Sequence, residues 1–304
     1  MSEKKRILTG DRTTGKLHLG HYVGSLQNRV RLQDEYESFI LLADIQALTT
    51  HFEHPELLEH SIYEVAMDNL SVGLDPNKIT LVQQSRIPSI GELTVFYSML
   101  VSVNTLRHNP TIKTEAANYG YNDMTYGFLG YPVSQSADIT FCKANLVPVG
   151  EDQKPHMEMT RKIVRRFNEL YGETLVEPDM MLSDCPRLMG LDGNAKVGKS
   201  LGNAIYLSDP AEEVRKKVMS AVTDASRIKK DDPGHPDICV VSKYHKVFNA
   251  GEYENICESC KKGAIGCVAC KKALASALND LLEPFREKRA YYEALRDEVR
   301  DIIL

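Results

Sequence analysis

No run of 18 apolar residues occurs anywhere in the 304-residue chain, so nothing in it is long and apolar enough for a membrane-spanning helix. The opening stretch Met1-Ser2-Glu3-Lys4-Lys5-Arg6 is charged, but no apolar segment follows it. That excludes a secretory leader of the usual pattern, and the expectation is a cytoplasmic protein. A basic excess is also missing: 37 Lys+Arg stand against 42 Asp+Glu, a net charge of −5. Proteins that coat nucleic acid nonspecifically have the opposite balance, so DNA is not expected as a partner. Internal repeats and low-complexity tracts are absent too. What is there is the composition of an ordinary globular protein, 42% hydrophobic and 26% charged, with length enough for two domains.

The charge is uneven. Residues 1–204 carry 20 Lys+Arg against 25 Asp+Glu, while residues 205–304 carry 17 of each. The later part holds the basic pairs Lys216-Lys217, Lys229-Lys230, Lys261-Lys262 and Lys271-Lys272. Any single pair reads best as solvated surface, although pairs of this kind also touch phosphates.

Apolar patterning alternates along the first two thirds of the chain. Strands are expected at Lys5–Thr9, Ser38–Ala43, Ile79–Val82 and Leu146–Val149. Helices are expected at Leu19–Tyr36, Pro55–Val72, Ile90–Leu106 and His156–Tyr171, where apolar residues recur every three or four positions. Strands alternating with helices predict a parallel sheet covered on both faces. Ligands in such folds sit beyond the carboxyl ends of the strands. After Pro210 the strand signals fade and helices dominate, at Ala211–Val222, Lys271–Leu282 and Phe285–Ile302, with Pro284 predicted to separate the last two. The fold class is therefore α/β: a Rossmann-like parallel-sheet catalytic domain over residues 1–192, a lysine loop over 193–203, and a smaller all-helical domain over 204–304, with a last helix able to pack back on the first domain.

Two short strings carry chemistry. Thr13-Thr14-Gly15-Lys16-Leu17-His18-Leu19-Gly20-His21 follows the first expected strand and a loop bracketed by Gly10 and Gly15, and it opens a helix. Free N–H groups and the positive dipole end at such a turn attract anions. His18 and His21, three apart, can share a face of the first helical turn and donate to phosphate oxygens whose charge grows in a transition state. Some 175 residues later, Lys196-Val197-Gly198-Lys199-Ser200 forms a second string with two lysines three apart.

Together these strings resemble the HIGH and KMSKS signatures of class I aminoacyl-tRNA synthetases. Two further segments, Tyr131-Pro132-Val133-Ser134-Gln135-Ser136-Ala137-Asp138-Ile139 and Val147-Pro148-Val149-Gly150-Glu151-Asp152-Gln153 running on to Arg161, are similar to the tryptophanyl-tRNA synthetase family over nearly the whole chain. The resemblance implies a tryptophan–tRNA ligase using ATP and Mg²⁺, with L-tryptophan and tRNA(Trp) as substrates and a homodimer as the working form. His18, His21, Lys196 and Lys199 are the implied catalytic residues. Arg12, Thr13, Thr14, Gly20, Gly150, Glu151, Asp152, Leu188, Met189, Val197, Gly198 and Ser200 join His21 and the two lysines in the implied ATP site. Asp138 is implied to accept the indole N–H of tryptophan, with Tyr131, Gln135, Gln153 and Gln46 around it. Three positions depart from the usual pattern: Val197-Gly198 stand where Met-Ser is common, Gln46 where histidine is common, and Gln135 where many bacterial members have Met. Tyrosyl-tRNA synthetases share the fold, and a paralogue that binds tryptophan or ATP without charging tRNA is a further alternative.

Seven cysteines are present. Four of them, Cys257, Cys260, Cys267 and Cys270, form C-x₂-C-x₆-C-x₂-C. With no secretory signal a disulfide framework is not expected. A Cys₄ zinc site and a Cys₄ iron–sulfur site both fit such spacing. Resemblance to an iron–sulfur subset of the family implies a [4Fe-4S] cluster on Cys239, Cys260, Cys267 and Cys270, leaving Cys257 as an extra thiol. Zn²⁺ on the paired cysteines is the alternative. Cys142 and Cys185 read as buried small hydrophobes.

Overall fold

The computed structural model describes residues 4–182, 188–193, 197–229 and 231–303. Five parallel strands form its sheet: β1 (Arg6–Arg12), β2 (Glu37–Ala43), β3 (Ile79–Gln83), β4 (Leu146–Val149) and β5 (Asp179–Leu182), in the order β3-β2-β1-β4-β5. The apolar run Phe39-Ile40-Leu41-Leu42 suits a strand buried on both faces. Its register sets Thr9 beside Ile40 and Ile40 beside Leu81. Strand order reverses between β1 and β4, the position where parallel α/β sheets open a crevice at their carboxyl edge. The α/β reading therefore holds.

The chain divides into two compact units: Met1–Gly15, Ser25–Asp184 and Leu295–Leu304 form the first, and Lys16–Gly24 with Cys185–Ala294 the second. In the first, the helix Glu56–Ser71 buries Leu58, Ile62, Val65, Ala66 and Leu70 as its spacing predicts, although Leu57 is exposed. The C-terminal helix Arg296–Ile302 belongs to this unit. Ile303 bridges to Leu81 of β3, Arg86 Nη1 donates to the Ile303 carbonyl at 3.3 Å, and the Arg296 guanidinium lies 4.6 Å from the Tyr63 ring centroid.

Beneath the carboxyl half of β1 lies a buried ion pair. Arg29 donates Nη1 and Nη2 to the two oxygens of Asp11 at 2.5 and 3.1 Å, and Nη1 also to Asn69 Oδ1 at 2.7 Å. Asn69 Nδ2 returns a bond to Asp11 at 3.1 Å, and Arg29 Nη2 reaches the Gly10 carbonyl at 3.1 Å. With side chains 2% and 6% exposed, this pair is bidentate and hydrogen-bonded on its flanks, the geometry in which a buried pair holds.

The second unit is helical, with Ala211–Ser220, Val240–Phe248, Ala250–Lys261 and Cys267–Ala294 packed around Val214, Val218, Leu274, Leu278 and Leu282.

Several expected elements differ. β1 continues through Arg12, so the loop that follows is shorter than the glycine bracket suggested. The helix expected over Leu19–Tyr36 is a short α-turn Leu19–His21, a π-turn Tyr22–Leu26 and an α-helix Gln27–Leu32. Ile90–Leu106 breaks after Ser98, and Ser102 caps a new helix Val103–Arg107 by accepting Thr105 N–H at 3.2 Å. Pro284 does not divide its segment: Cys267–Ala294 runs through it. A proline in a helix leaves a carbonyl without its donor. Here that carbonyl belongs to Asp280, an exposed residue, and Leu282 is fully buried, which keeps the helix seated.

Candidate active site

Within the first unit, the carboxyl edge of the sheet collects a buried polar cluster. β2 ends at Ala43, and Asp44 and Gln46 follow in the helix Asp44–His51. β3 ends at Gln83, and Gln84 begins a 3₁₀ turn Gln84–Arg86. Asp138 comes in from the helix Tyr126–Thr140, whose start is capped by Thr125 accepting Phe128 N–H at 3.2 Å. Asp138 is 3% exposed. Gln84 Nε2 donates to its Oδ1 at 2.7 Å and Gln46 Nε2 to its Oδ2 at 3.3 Å. Burial pushes the Asp138 carboxyl up to about 7; the two glutamine amides pull it down, and Asp44 adds to the rise. Both donors are neutral, so the carboxylate has lone pairs suited to one more N–H.

The other residues expected at a tryptophan site sit around it. Gln46 also contacts Ser134 Oγ and, at 3.4 Å, the Tyr131 carbonyl. Gln135 Nε2 donates to Gln153 Oε1 at 3.2 Å, and Tyr131 Oη is 3.0 Å from His156 Nε2. Thus Asp138, Gln46, Tyr131, Gln135 and Gln153 form two short hydrogen-bonded chains at one sheet edge. Sequence reasoning missed Gln84, Asp44 and His156. A signal for Gln84 existed: two glutamines close an otherwise apolar strand at the edge where ligands bind. Asp44 locks that turn, accepting Ser85 N–H at 3.0 Å, Ser85 O–H at 2.5 Å and Gln83 Nε2–H at 2.8 Å.

Also in this unit, Arg12 Nη2 donates to Thr50 Oγ1 at 2.5 Å. Thr13 is fully buried, and Thr14 N–H turns back to the Arg12 carbonyl at 2.9 Å. Gly150 precedes the 3₁₀ turn Glu151–Gln153, where Glu151 pairs with Lys154 at 2.7 Å. The side chain of Asp152 lies outside the described residues.

The second unit holds the two histidines and the described part of the lysine loop. The segment Leu17–Leu19 pairs with Ile205–Leu207: Leu19 N–H donates to the Ile205 carbonyl and Leu207 N–H to the Leu17 carbonyl, both at 3.0 Å. That pairing ties the HxGH string to the chain just after the loop. Gly20 leaves room there, because a Cβ on it would come within 2.7 Å of Val197 Cγ1 and 2.8 Å of His18 Cε1, and one of those side chains would have to shift. Val197, which departs from the usual Met, is buried against it. Asn203 closes the loop base, its Oδ1 accepting Gly198 N–H and its Nδ2 donating to Asp192, both at 3.0 Å. Lys199 begins a 3₁₀ turn Lys199–Leu201. Lys196 and the side chain of Ser200 lie outside the described residues, as does Cys185.

The histidines are not simply side by side on a helical turn. His18 is the N-cap: its Nδ1 accepts Gly20 N–H at 3.1 Å, and His21 Nδ1 accepts His18 N–H at 3.2 Å. With Nδ1 accepting in both rings, the neutral tautomer carries its proton on Nε2. Each imidazole is thereby oriented with Nε2–H as its donor. Leu188 accepts Val197 N–H through its carbonyl at 3.3 Å, while Met189 accepts Tyr244 O–H at 2.7 Å and lies 3.2 Å from Lys243 Nζ through its sulfur.

Five cysteines, Cys239, Cys257, Cys260, Cys267 and Cys270, line one pocket in the second unit together with Arg227. Arg227 Nη1 lies 3.8 Å from Cys260 Sγ and 4.0 Å from Cys267 Sγ, and His245 Nε2 lies 3.5 Å from Cys270 Sγ. All described cysteines are free thiols. Burial, and then the neighbouring thiols, push Cys270 up to about 12. Five thiols are thus gathered around one pocket. Among the described residues, however, no group of three His, Cys, Asp or Glu is arranged to hold a metal ion.

Comparison with known proteins gives a consistent picture. The family described as tRNA synthetases class I (W and Y) matches residues 1–283. A tryptophan–tRNA ligase from Streptococcus mutans is 51% identical over 311 residues, covering 99% of this chain and 92% of the relative. One from Streptococcus pyogenes is 52% identical over 307 residues, covering 97% and 90%. The crystal structure of tryptophanyl-tRNA synthetase from Campylobacter jejuni, complexed with ADP and tryptophan, superposes with a TM-score of 0.87 at 28% identity, covering 98% of this chain and 92% of that one.

Proposed function

The chain belongs to the class I tRNA synthetases of the W and Y type, and we infer from that membership and from the Asp138 cluster that it is a tryptophan–tRNA ligase. The reaction consumes ATP with Mg²⁺. Tryptophan's carboxylate attacks the α-phosphate in line, pyrophosphate leaves, and tryptophanyl-adenylate forms. The 3′-terminal ribose hydroxyl of tRNA(Trp) then takes the acyl group and AMP leaves. No side chain acts as a nucleophile, so the protein's part is positioning and charge stabilisation.

The residue roles are those that resemblance to the family implies. Asp138 accepts the indole N–H; Tyr131, Gln135, Gln153 and Gln46 shape the rest of the amino-acid pocket. His18 and His21 donate Nε2–H to phosphate oxygens, and Lys196 and Lys199 add positive charge. Arg12, Thr13, Thr14, Gly20, Gly150, Glu151, Asp152, Leu188, Met189, Val197, Gly198 and Ser200 serve ATP. The observation that carries the reading is Asp138: a carboxylate 3% exposed, held by neutral amides alone among its hydrogen-bond partners. A site built around a polar group of its substrate rejects analogues lacking that group by about 10⁴–10⁵. ATP–pyrophosphate exchange with tryptophan and with tyrosine tests it. Exchange with tryptophan alone, followed by charging of tRNA(Trp), is expected. Exchange with tyrosine would favour the tyrosine branch of the family, and binding without exchange a non-catalytic paralogue.

Four finer readings join it. Val95, Phe96, Met99 and Tyr171 are exposed on the first unit, with Phe96 and Tyr171 rings 6.4 Å apart. An apolar patch of this kind marks an association surface, and a second copy of the chain is its proposed occupant, checked by sedimentation. The cysteine pocket is proposed to hold a [4Fe-4S] cluster on Cys239, Cys260, Cys267 and Cys270, with Zn²⁺ on the paired cysteines as the rival. The gathering of five thiols beside one guanidinium supports a centre that needs thiolates and a compensating charge. When bound, the group would cross-link residue 239 to the 260–270 segment. The helical domain over 204–304, with its lysine pairs, is assigned to the tRNA anticodon. The cytoplasm is the location that this reading carries.

A further inference from the structure

Asp138 has two amide partners of different standing. The Gln46 amide nitrogen is divided among Asp138 at 3.3 Å, the Tyr131 carbonyl at 3.4 Å and Ser134 Oγ. The Gln84 amide nitrogen approaches Asp138 Oδ1 at 2.7 Å. Gln84 is 1% exposed, and its Oε1 accepts Gln46 N–H at 3.0 Å, so its carboxamide is gripped at both ends. The turn that carries it is fixed by Asp44 through Gln83 and Ser85 on one side, and by Arg86 on the Ile303 carbonyl on the other.

We infer that Gln84 is a positioning residue for amino-acid selection, holding Asp138 as an ionised acceptor turned toward the indole N–H of tryptophan. The inference rests on the reading of Asp138 given above.

The surroundings leave this task to the amides. From the helix Asp44–His51 the group acting on Asp138 is another carboxylate, Asp44, which opposes ionisation. Among titratable groups on the other packed helices, Tyr97 is engaged with Thr140 Oγ1 at 2.6 Å, and Tyr131 with His156 at 3.0 Å. Burial alone favours the protonated form, and Gln84 is the larger of the two hydrogen-bond contributions against it. Without that donor the proton stays on Asp138 at neutral pH. A protonated carboxyl presents an O–H where tryptophan needs an acceptor, and charge-assisted bonding is lost.

The experiment is calorimetric binding of tryptophan, and of the analogue with sulfur in place of the indole N–H, from about pH 6 to about pH 9. It uses the full-length wild type and Gln84→Met, which keeps an unbranched side chain of similar size without the amide. Wild type should prefer tryptophan to the analogue. Gln84→Met should bind tryptophan about tenfold more weakly near neutral pH, recover as pH rises, and shift the midpoint of its binding profile up by about one pH unit. Its affinity for the analogue should change little. Gln84→Asn, which draws the amide back by one methylene, should shift the midpoint in the same direction by less, and unchanged ATP affinity certifies the fold of either variant. A loss that is constant across pH, or equal for the analogue, would overturn the inference and leave Gln84 as packing. A wild type that does not distinguish tryptophan from the analogue would instead overturn the reading of Asp138 itself, before any variant is examined.

Discussion

Two buried carboxylates stand in the same parallel-sheet unit, Asp11 at 9% exposure and Asp138 at 3%, and their partners differ in kind. Asp11 faces a full positive charge, the bidentate guanidinium of Arg29, with Asn69 beside it. Among the described residues, Asp138 is hydrogen-bonded by the neutral amides of Gln84 and Gln46, with a second carboxylate nearby. The first arrangement is electrically complete and ties β1 to two helices. The second leaves the carboxylate short of compensation, with its pKa pushed up to about 7. A buried acid held this way is poised for a donor that arrives with the substrate, and the indole N–H is the donor proposed here. Complete pairing marks scaffold; incomplete pairing marks the site.

The sharpest way to break this comparison is to remove one partner from each side. Arg29→Met leaves Asp11 buried without its charge, which costs about 3–5 kcal/mol. Denaturant unfolding should show that loss, while the molecules that remain folded bind tryptophan normally. Next in size is Lys199→Ala. Removing one charge-stabilising donor from a phosphoryl-type transition state slows the reaction by about 10²–10³. Pyrophosphate exchange should fall by that order with calorimetric tryptophan binding nearly intact; equal losses in both would point to misfolding.

Asp138→Asn follows. It keeps the shape but places a donor where an acceptor is needed, and a charge-assisted bond is worth about 1.5–3 kcal/mol, so tryptophan use should drop about ten- to a hundredfold. Normal activation of tryptophan by this variant would remove Asp138 from selection. The smallest effect is in the wild type itself. A carboxyl raised to about 7 by burial is ionised above that pH and protonated below it. Tryptophan affinity should therefore be full in mildly alkaline buffer and decline as pH falls through neutrality, by about tenfold per pH unit at the limit. A flat profile down to about pH 5 would mean that Asp138 is ionised throughout.

Cysteine chemistry provides an independent check on the second unit. Protein purified without oxygen should carry iron that survives Cys257→Ser and is lost with Cys267→Ser. Colourless protein with one zinc, sensitive to Cys257 rather than Cys239, would assign the paired cysteines instead.

Much of the fold was legible because it rests on apolar periodicity. Phe39–Leu42 and Leu58–Leu70 could be read directly. Where reading failed, a local rule met a contact from far along the chain. Pro284 looked like a breaker, but the carbonyl it leaves is on the exposed Asp280, and the buried Leu282 anchors the helix. β5 was missed because Asp179-Met180-Met181-Leu182 is short and lacks β-branched residues, and its strand character comes from pairing with β4. In the candidate site, Asp138 was found through its string. Gln84 was not, because the pair of glutamines that closes its strand does not say which group they hold; its partner is Asp138, 54 positions away. The histidines were found by spacing, yet their mutual capping through Nδ1 depends on a backbone turn that spacing does not specify.

This chain is proposed to charge tRNA with tryptophan and to select it through Asp138. ATP–pyrophosphate exchange by wild type and Asp138→Asn, each with tryptophan and with tyrosine, tests it most directly. Exchange by wild type with tryptophan alone is expected, with a loss of about ten- to a hundredfold in the variant. Exchange by wild type with tyrosine at a comparable rate, or an undiminished tryptophan rate in Asp138→Asn, would contradict it.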